Sequence, residues 1–228
     1  MKKLFSLILL LSFTIKAQEI KIGAQVWTTK NLDVETYRNG DTIPQVEDQE
    51  EWATIPYGAF CYIKIKGEKV TTYGKLYNWY AVNDYRGLAP KGYHIPTDAE
   101  WTTLTDNLGG LSLAGTKMKN TSGWDSMVSM DDEITDGNGT NASGFSGLPG
   151  GYGNNNGKSN RKGKKGIWWS SSECGSNERE VLVDGAVIHN ASSAPSKSWC
   201  RMMSNEGGKV HRYESNWQEG FSVRCLRD

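Results

Sequence analysis

The chain has 228 residues, and its 26 Lys and Arg face 26 Asp and Glu for a formal charge of zero. That balance suggests neither nucleic acid nor an anionic membrane as a partner. Glycine is abundant at 26 residues and only 37% of the chain is hydrophobic, so the sequence predicts a loop-rich domain whose compact core is built from large aromatic side chains.

The opening stretch, MKKLFSLILLLSFTIKAQ, reads as an export signal. Lys2 and Lys3 give its charged start, Leu4 to Ile15 its apolar run, and Ala17 the small residue before a cleavage point. The run is too short for a membrane span, which needs about 20 apolar residues. Residues 1–17 are therefore expected to be a leader and 18–228 a single domain, secreted or at the cell surface, with no membrane insertion. Losing Lys2, Lys3 and Lys16 leaves 26 acids against 23 bases. In an oxidising compartment the four cysteines, Cys61, Cys174, Cys200 and Cys225, favour disulfides, with three pairings open. No CxxC pair occurs, which argues against a zinc site.

EIKIGAQVWTTKNL has the alternation of a strand, through Ile20, Ile22, Val26 and Trp27. YRNGDTIP is a turn around Asn39-Gly40, and GAFCYIKI a second strand. Two helices are predicted. YGKLYNWYAVND spaces Leu76, Trp79, Tyr80 and Val82 on a helical period. TDAEWTTLTDNLGG carries a Thr97-x-x-Glu100 capping box and a Gly109-Gly110 stop, and aligns Trp101, Leu104 and Leu108 on one face. From Ser122 to Gly166 the chain reads as loop, and the glycines of SGFSGLPGGYG suit close backbone packing better than a flexible linker. GIWWSSS reads as a strand, EVLVDGAVIH as a hairpin, SWCRMMSNEGGKVHRY as another around Asn205 to Gly208, and GFSVRCL as the last strand. Trp79, Trp101, Trp168 and Trp169 are expected in the core.

Catalytic constellations are sparse. His94, His189 and His211 are scattered, without a nucleophile elbow or metal motif. Asp98 and Glu100 are explained by their place in a helix's first turn. DDEITDGNGTN offers Asp131, Asp132, Asp136 and Asn138 as oxygen donors for a possible calcium ion, alongside Glu133 and Asn141. The run GKSNRKGKKG, with Lys158, Arg161, Lys162, Lys164 and Lys165, could meet an anionic polymer, but lacks the interleaved aromatics of a nucleic-acid platform.

The motifs YGKLYNWYAV, RGLAPKGYHIPTDAEW, SGFSGLPGGY and GFSVRC, in that order, resemble the Fibrobacter succinogenes major paralogous domain of secreted Fibrobacter and Bacteroidetes proteins. The resemblance spans about Ile20 to Asp228. It implies an α+β, C-type lectin-like domain distantly similar to the formylglycine-generating, sulfatase-modifying enzymes. Such a domain has two helices, small antiparallel sheets and long ordered loops, with the first and last strands together. Cys61 and Cys225 match positions where that family carries cysteine, so the pairing implied is Cys61–Cys225, with Cys174–Cys200 closing an inserted loop and stabilising it by about 3 kcal/mol. The copper-thiol enzymes of the related group need two cysteines close in sequence, and here Cys174 stands alone. The expected function is thus a secreted, non-catalytic module binding a glycan or an extracellular protein, with no nucleic acid and no cofactor beyond possible calcium. The loops 131–156, 158–165 and 175–198 are its expected surface, with Tyr152, Trp199 and Trp217 stacking and Lys162 and Lys164 supplying charge. The rivals are an enzyme of the sulfatase-modifying type, or another hydrolase, and a structural surface protein.

Overall fold

In the computed structural model, which describes residues 18–65, 67–128, 130–155, 159–174, 180–183, 186–189 and 197–228, the first segment is a hairpin rather than one strand. β1 (Glu19–Ile22) pairs antiparallel with β2 (Gln25–Thr28), Ile20 opposite Trp27. The reversal falls on Gly23, at φ 61°, a left-handed conformation that glycine adopts without steric cost. The proposed leader lies outside the described residues.

Four helices occur among the described residues, not two. The six-residue α1 (Gln49–Thr54) is capped by Asp48, whose Oδ1 accepts from Glu51 N at 2.9 Å, and it buries only Trp52. GAFCYIKI divides at Tyr62 into β3 (Phe60–Cys61) and β4 (Ile63–Ile65). β4 pairs with β5 (Glu68–Val70), and β3 pairs with β6 (Leu76–Tyr77). Leu76 and Tyr77 thus belong to a strand, so the helix expected from Leu76 shrinks to one turn, α2 (Trp79–Val82), capped by Asn78. After β7 (Tyr93–His94) comes α3 (Asp98–Asn107), with its capping box intact: Glu100 N donates to Thr97 Oγ1 and Thr97 N to Glu100 Oε2.

α4 (Leu111–Met118) was hidden by an inverted pattern. It turns Ala114, Gly115 and Met118 inward and leaves Leu113 59% exposed. Gly115 is required there, because a Cβ would stand 2.6 Å from the carbonyl oxygen of Gly208. Small two-residue ladders follow, β8 (Met127–Val128) with β9 (Ile134–Thr135) and β10 (Tyr152–Gly153) with β11 (Ser159–Asn160). The predicted hairpins form: β13 (Glu180–Val183) with β14 (Ala186–His189), and β15 (Lys197–Ser204) with β16 (Val210–Asn216). β12 (Lys165–Glu173) adds to β15, giving a three-stranded sheet ordered β12-β15-β16. Of GFSVRCL only its end is a strand, β17 (Leu226–Arg227), inserted between β2 and β7 in a four-stranded sheet.

Neighbouring tryptophans on β12 face opposite ways, as strand geometry dictates. Trp168 packs with Trp27, Trp101, Phe145, Met203 and Met118. Trp169 packs with Trp79, Tyr77, Phe221 and Cys200. Both indoles find partners, Trp168 Nε1 donating to Asn31 Oδ1 and Trp169 Nε1 to Tyr77 O, each at 2.9 Å. Trp79, Trp101, Trp168 and Trp169 are all at most 1% exposed, so the aromatic richness is the core itself. Arg224 is fully buried among oxygen acceptors. Its Nε donates to Asn31 Oδ1 at 2.7 Å, Nη1 to Thr28 O at 2.9 Å and Phe145 O at 2.6 Å, and Nη2 to Ser146 O at 3.0 Å. Burial lowers its pKa to about 9.

The expected disulfides do not form; Cys61, Cys174, Cys200 and Cys225 are all free. Cys61 lies on β3 against β6, packed with Trp52 and Leu76, whereas Cys225 is tied to Thr28 of β2, so their strands are not neighbours. Cys174 N donates to Lys197 O, three residues of β15 from Cys200. Three residues of strand span about 10 Å, beyond the reach of a disulfide.

Candidate functional site

A cleft of about 470 Å³ opens on the Trp169 side of the three-stranded sheet. Its floor follows from register. Ile167 pairs with Met202, and Cys200 with Tyr213, so Ile167, Met202 and Tyr213 share one face of the three strands. Tyr152 closes the cleft from the glycine-rich stretch. Its ring meets Phe221 edge-on at 6.2 Å. The backbone beneath it is fixed by Gly151, at φ 74°, whose N donates to Lys165 O at 2.6 Å and where a Cβ would collide with Asn160 O.

The rim is polar. Lys165 stands at one end, and its ammonium has no hydrogen bond or ion pair among the described residues. At the other end Ser215 Oγ donates to Glu219 Oε2 at 2.6 Å. Burial raises the Glu219 pKa, and the Ser215 hydrogen bond only partly offsets this. Lys197 and Glu214 form a loose ion pair at 3.7 Å. Burial raises the Tyr213 hydroxyl far above its ordinary value, and the neighbouring Cys200 adds to that. The Tyr213 hydroxyl therefore remains a neutral donor.

The structure divides the expected ligand set. Tyr152 lines the cleft, but Trp199 lies on the opposite face of β15, with the Arg212 guanidinium 3.4 Å above its ring. Trp217 stacks on Trp79 at 4.6 Å and donates Nε1 to Ser198 Oγ at 2.8 Å, which makes it a wall of the core. Lys162 leans toward Tyr73 at 6.0 Å, and the Lys164 backbone closes its own turn, its N donating to Arg161 O and its O accepting from Asn205 N. Lys158 and most of loop 175–198 lie outside the described residues. Sequence reading missed Met202, Tyr213, Ser215 and Glu219. The alternation of β15 and β16 could have put the first three on one face; Glu219 follows the strand and carries no such signal.

Of the oxygens proposed for calcium, those of Asp136 and Asn138 serve the loop itself. Asp136 Oδ1 accepts from Asn138 N and Nδ2 at 2.9 and 2.7 Å, and Asn138 Oδ1 accepts from Trp124 N at 3.0 Å. Asp132 occupies a turn at φ 58°. Asp131, Asp132 and Asp136 do not converge; among the described residues no three His, Cys, Asp or Glu side chains gather as a metal site. Asp98, Glu100 and His94 have structural partners. Asp98 holds Arg201 at 2.7 Å and Arg212 at 2.9 Å, and His94 bridges Glu100 and Asp228 at 3.0 and 2.8 Å. Burial pushes the Cys61 and Cys225 thiols up to about 12 and Cys174 up to about 11, so these are protonated thiols rather than poised nucleophiles.

A mixed α+β chain with several small antiparallel sheets, loops fastened by buried tryptophans and a cleft on one sheet face is the class these observations define. The Fibrobacter succinogenes major domain matches residues 20–227, and the chain belongs to that family. No curated protein and no solved structure matches it. No helix among the described residues is long and apolar enough to cross a membrane.

Proposed function

We propose that this is a secreted, non-catalytic binding module on a C-type lectin-like scaffold, taking a saccharide in the cleft between Tyr152 and β16. The carrying observation is the cleft's composition: an aromatic and thioether floor of Tyr152, Tyr213 and Met202 under a polar rim of Ser215, Asn216, Glu219 and Lys165. Sugar rings present an apolar face and a polar edge, and such a site meets both. The chain reaches the cleft from the glycine-rich stretch, the end of the basic run and Lys197 after the inserted loop, three of the segments from which a loop-borne site was expected. Immobilised polysaccharides probed with residues 18–228 test it. Binding that Tyr152→Ala abolishes, with thermal stability retained, supports the reading; binding unchanged by Tyr152→Ala refutes it.

The raised Glu219 pKa favours one rival, a hydrolase with Glu219 as general acid. Release of reducing sugar by the native protein, lost in Glu219→Gln, would establish that reading instead.

A further inference from the structure

The cleft has a direction. Lys165 pairs with Ser204 at one end of β15, and Ser215, which holds Glu219, pairs with Ser198 at the other. Six strand residues separate those levels, about 20 Å at about 3.3 Å per residue. The space is therefore a trough along the strand rather than a cup, with Ile167, Met202 and Tyr213 between its ends.

Its charges are unequal in kind. Lys197 and Glu214 pair with each other, so among the described residues lining the trough Lys165 is left as the lysine whose ammonium has no hydrogen bond or ion pair and Glu219 as the carboxyl group with no counter-charge. The positive character of the Lys165 end is felt by its neighbours: after burial, Lys209 and Lys165 lower the His211 pKa, opposed by Glu206. Lys165 is half-buried as a residue, and its ammonium at the lip of the trough is costly to cover unless a ligand anion arrives with the ligand surface that covers it.

Building on the saccharide reading above, we infer that the trough binds a linear anionic polysaccharide lengthwise, an acidic group of one sugar meeting Lys165 Nζ and uncharged hydroxyls meeting Ser215 and Glu219. Glu219 fixes the polarity, because it repels a second acidic group at its own end. A strand-length floor accounts for a polymer segment rather than a monosaccharide. Lys165 as a point charge accepts either a carboxylate or a sulfate.

Polygalacturonate and its fully methyl-esterified form share a backbone and differ in charge, which makes them the informative pair, with a sulfated polysaccharide as a third probe. Affinity electrophoresis of residues 18–228 should show a charged polymer binding at least about tenfold more tightly than the ester, the scale of one charge-assisted hydrogen bond. Lys165→Ala should erase that difference and Lys165→Arg keep it, while Glu219→Gln should tighten binding. Preference for the sulfated chain over polygalacturonate, still dependent on Lys165, assigns sulfate as the acidic group. Equal binding of ester and acid, sensitive to Tyr152→Ala but not to Lys165→Ala, overturns this inference and leaves the saccharide reading standing. No binding of any of the three polymers, or binding indifferent to both substitutions, overturns the anionic inference; indifference to Tyr152→Ala refutes the saccharide site as well.

Discussion

The two faces of the β12-β15-β16 sheet are made by alternate residues of the same strands, yet they end differently. The Trp168 face is covered by α3 and α4 and sealed by Trp27, Trp101 and Phe145, with Trp27 and Trp101 only 4.9 Å apart. The Trp169 face is covered by Trp79, Tyr77 and Phe221, but at Ile167, Met202 and Tyr213 that cover stops and the cleft begins. Both sides obey period-two alternation. The difference lies in what packs on them: helices two or three turns long close one face, whereas a two-residue strand carrying Tyr152 reaches only part of the other.

That contrast is open to attack, most strongly at Trp168. Trp168→Ala should lose about 3–5 kcal/mol in urea unfolding, since it empties the sealed side and strips Asn31 of a donor. A loss below about 1 kcal/mol would mean that the face is not sealed. Asp98→Asn comes next, at about 3 kcal/mol, because Arg201 is 1% exposed and keeps its charge without a counter-charge. Burial alone would raise the Asp98 pKa, but Arg212 and Arg201 outweigh it and hold it below the ordinary range. Its contribution is thus present above about pH 3.9 and lost as pH falls through the lowered value. The acid limb of the stability profile should be shallower in Asp98→Asn, and an identical limb would remove Asp98 from that role.

On the open side, Met202→Ala should cost only about 1 kcal/mol, since the side chain is half-buried, while weakening saccharide binding. A loss as large as at Trp168 would make the cleft an ordinary core. The smallest effect belongs to His94, whose pKa burial would lower but the carboxylates of Asp228 and Glu100 raise. Its stabilisation is fully present below about pH 6.5 and disappears as pH climbs through the raised value. Because the cluster is partly exposed, His94→Gln should change stability by less than about 1 kcal/mol, and only at the acid end of that window.

Much of this architecture was legible where local rules act alone. The capping box fixed the start of α3, and the β15–β16 hairpin followed from alternation around a glycine turn. α4 was not legible, because its inward face is Ala114 and Gly115, selected by the nearness of Gly208, while Leu113 points out. The disulfides were misread for a related reason. Four cysteines behind an expected export signal suggest bridges, but Cys200 and Cys225 serve as small apolar fillers in one cluster and Cys61 in another. The site was half legible: Tyr152 stood out, but Glu219 and the absence of Trp199 depend on how strands and loops meet in space.

Arg224 has a consequence in time. Its guanidinium gathers the Thr28 and Asn31 segment, the Phe145 and Ser146 turn and the last strand's approach, joining residues as far apart in sequence as 196 positions. Until it arrives, Asn31 Oδ1 and three carbonyl oxygens lack their cation, and both aromatic clusters lack Phe221, Val223 or Leu226. Closing so long a loop is slow and is rewarded only at the end. The interior is therefore completed by its longest-range contacts, and neither aromatic cluster closes until the segment around Arg224 docks.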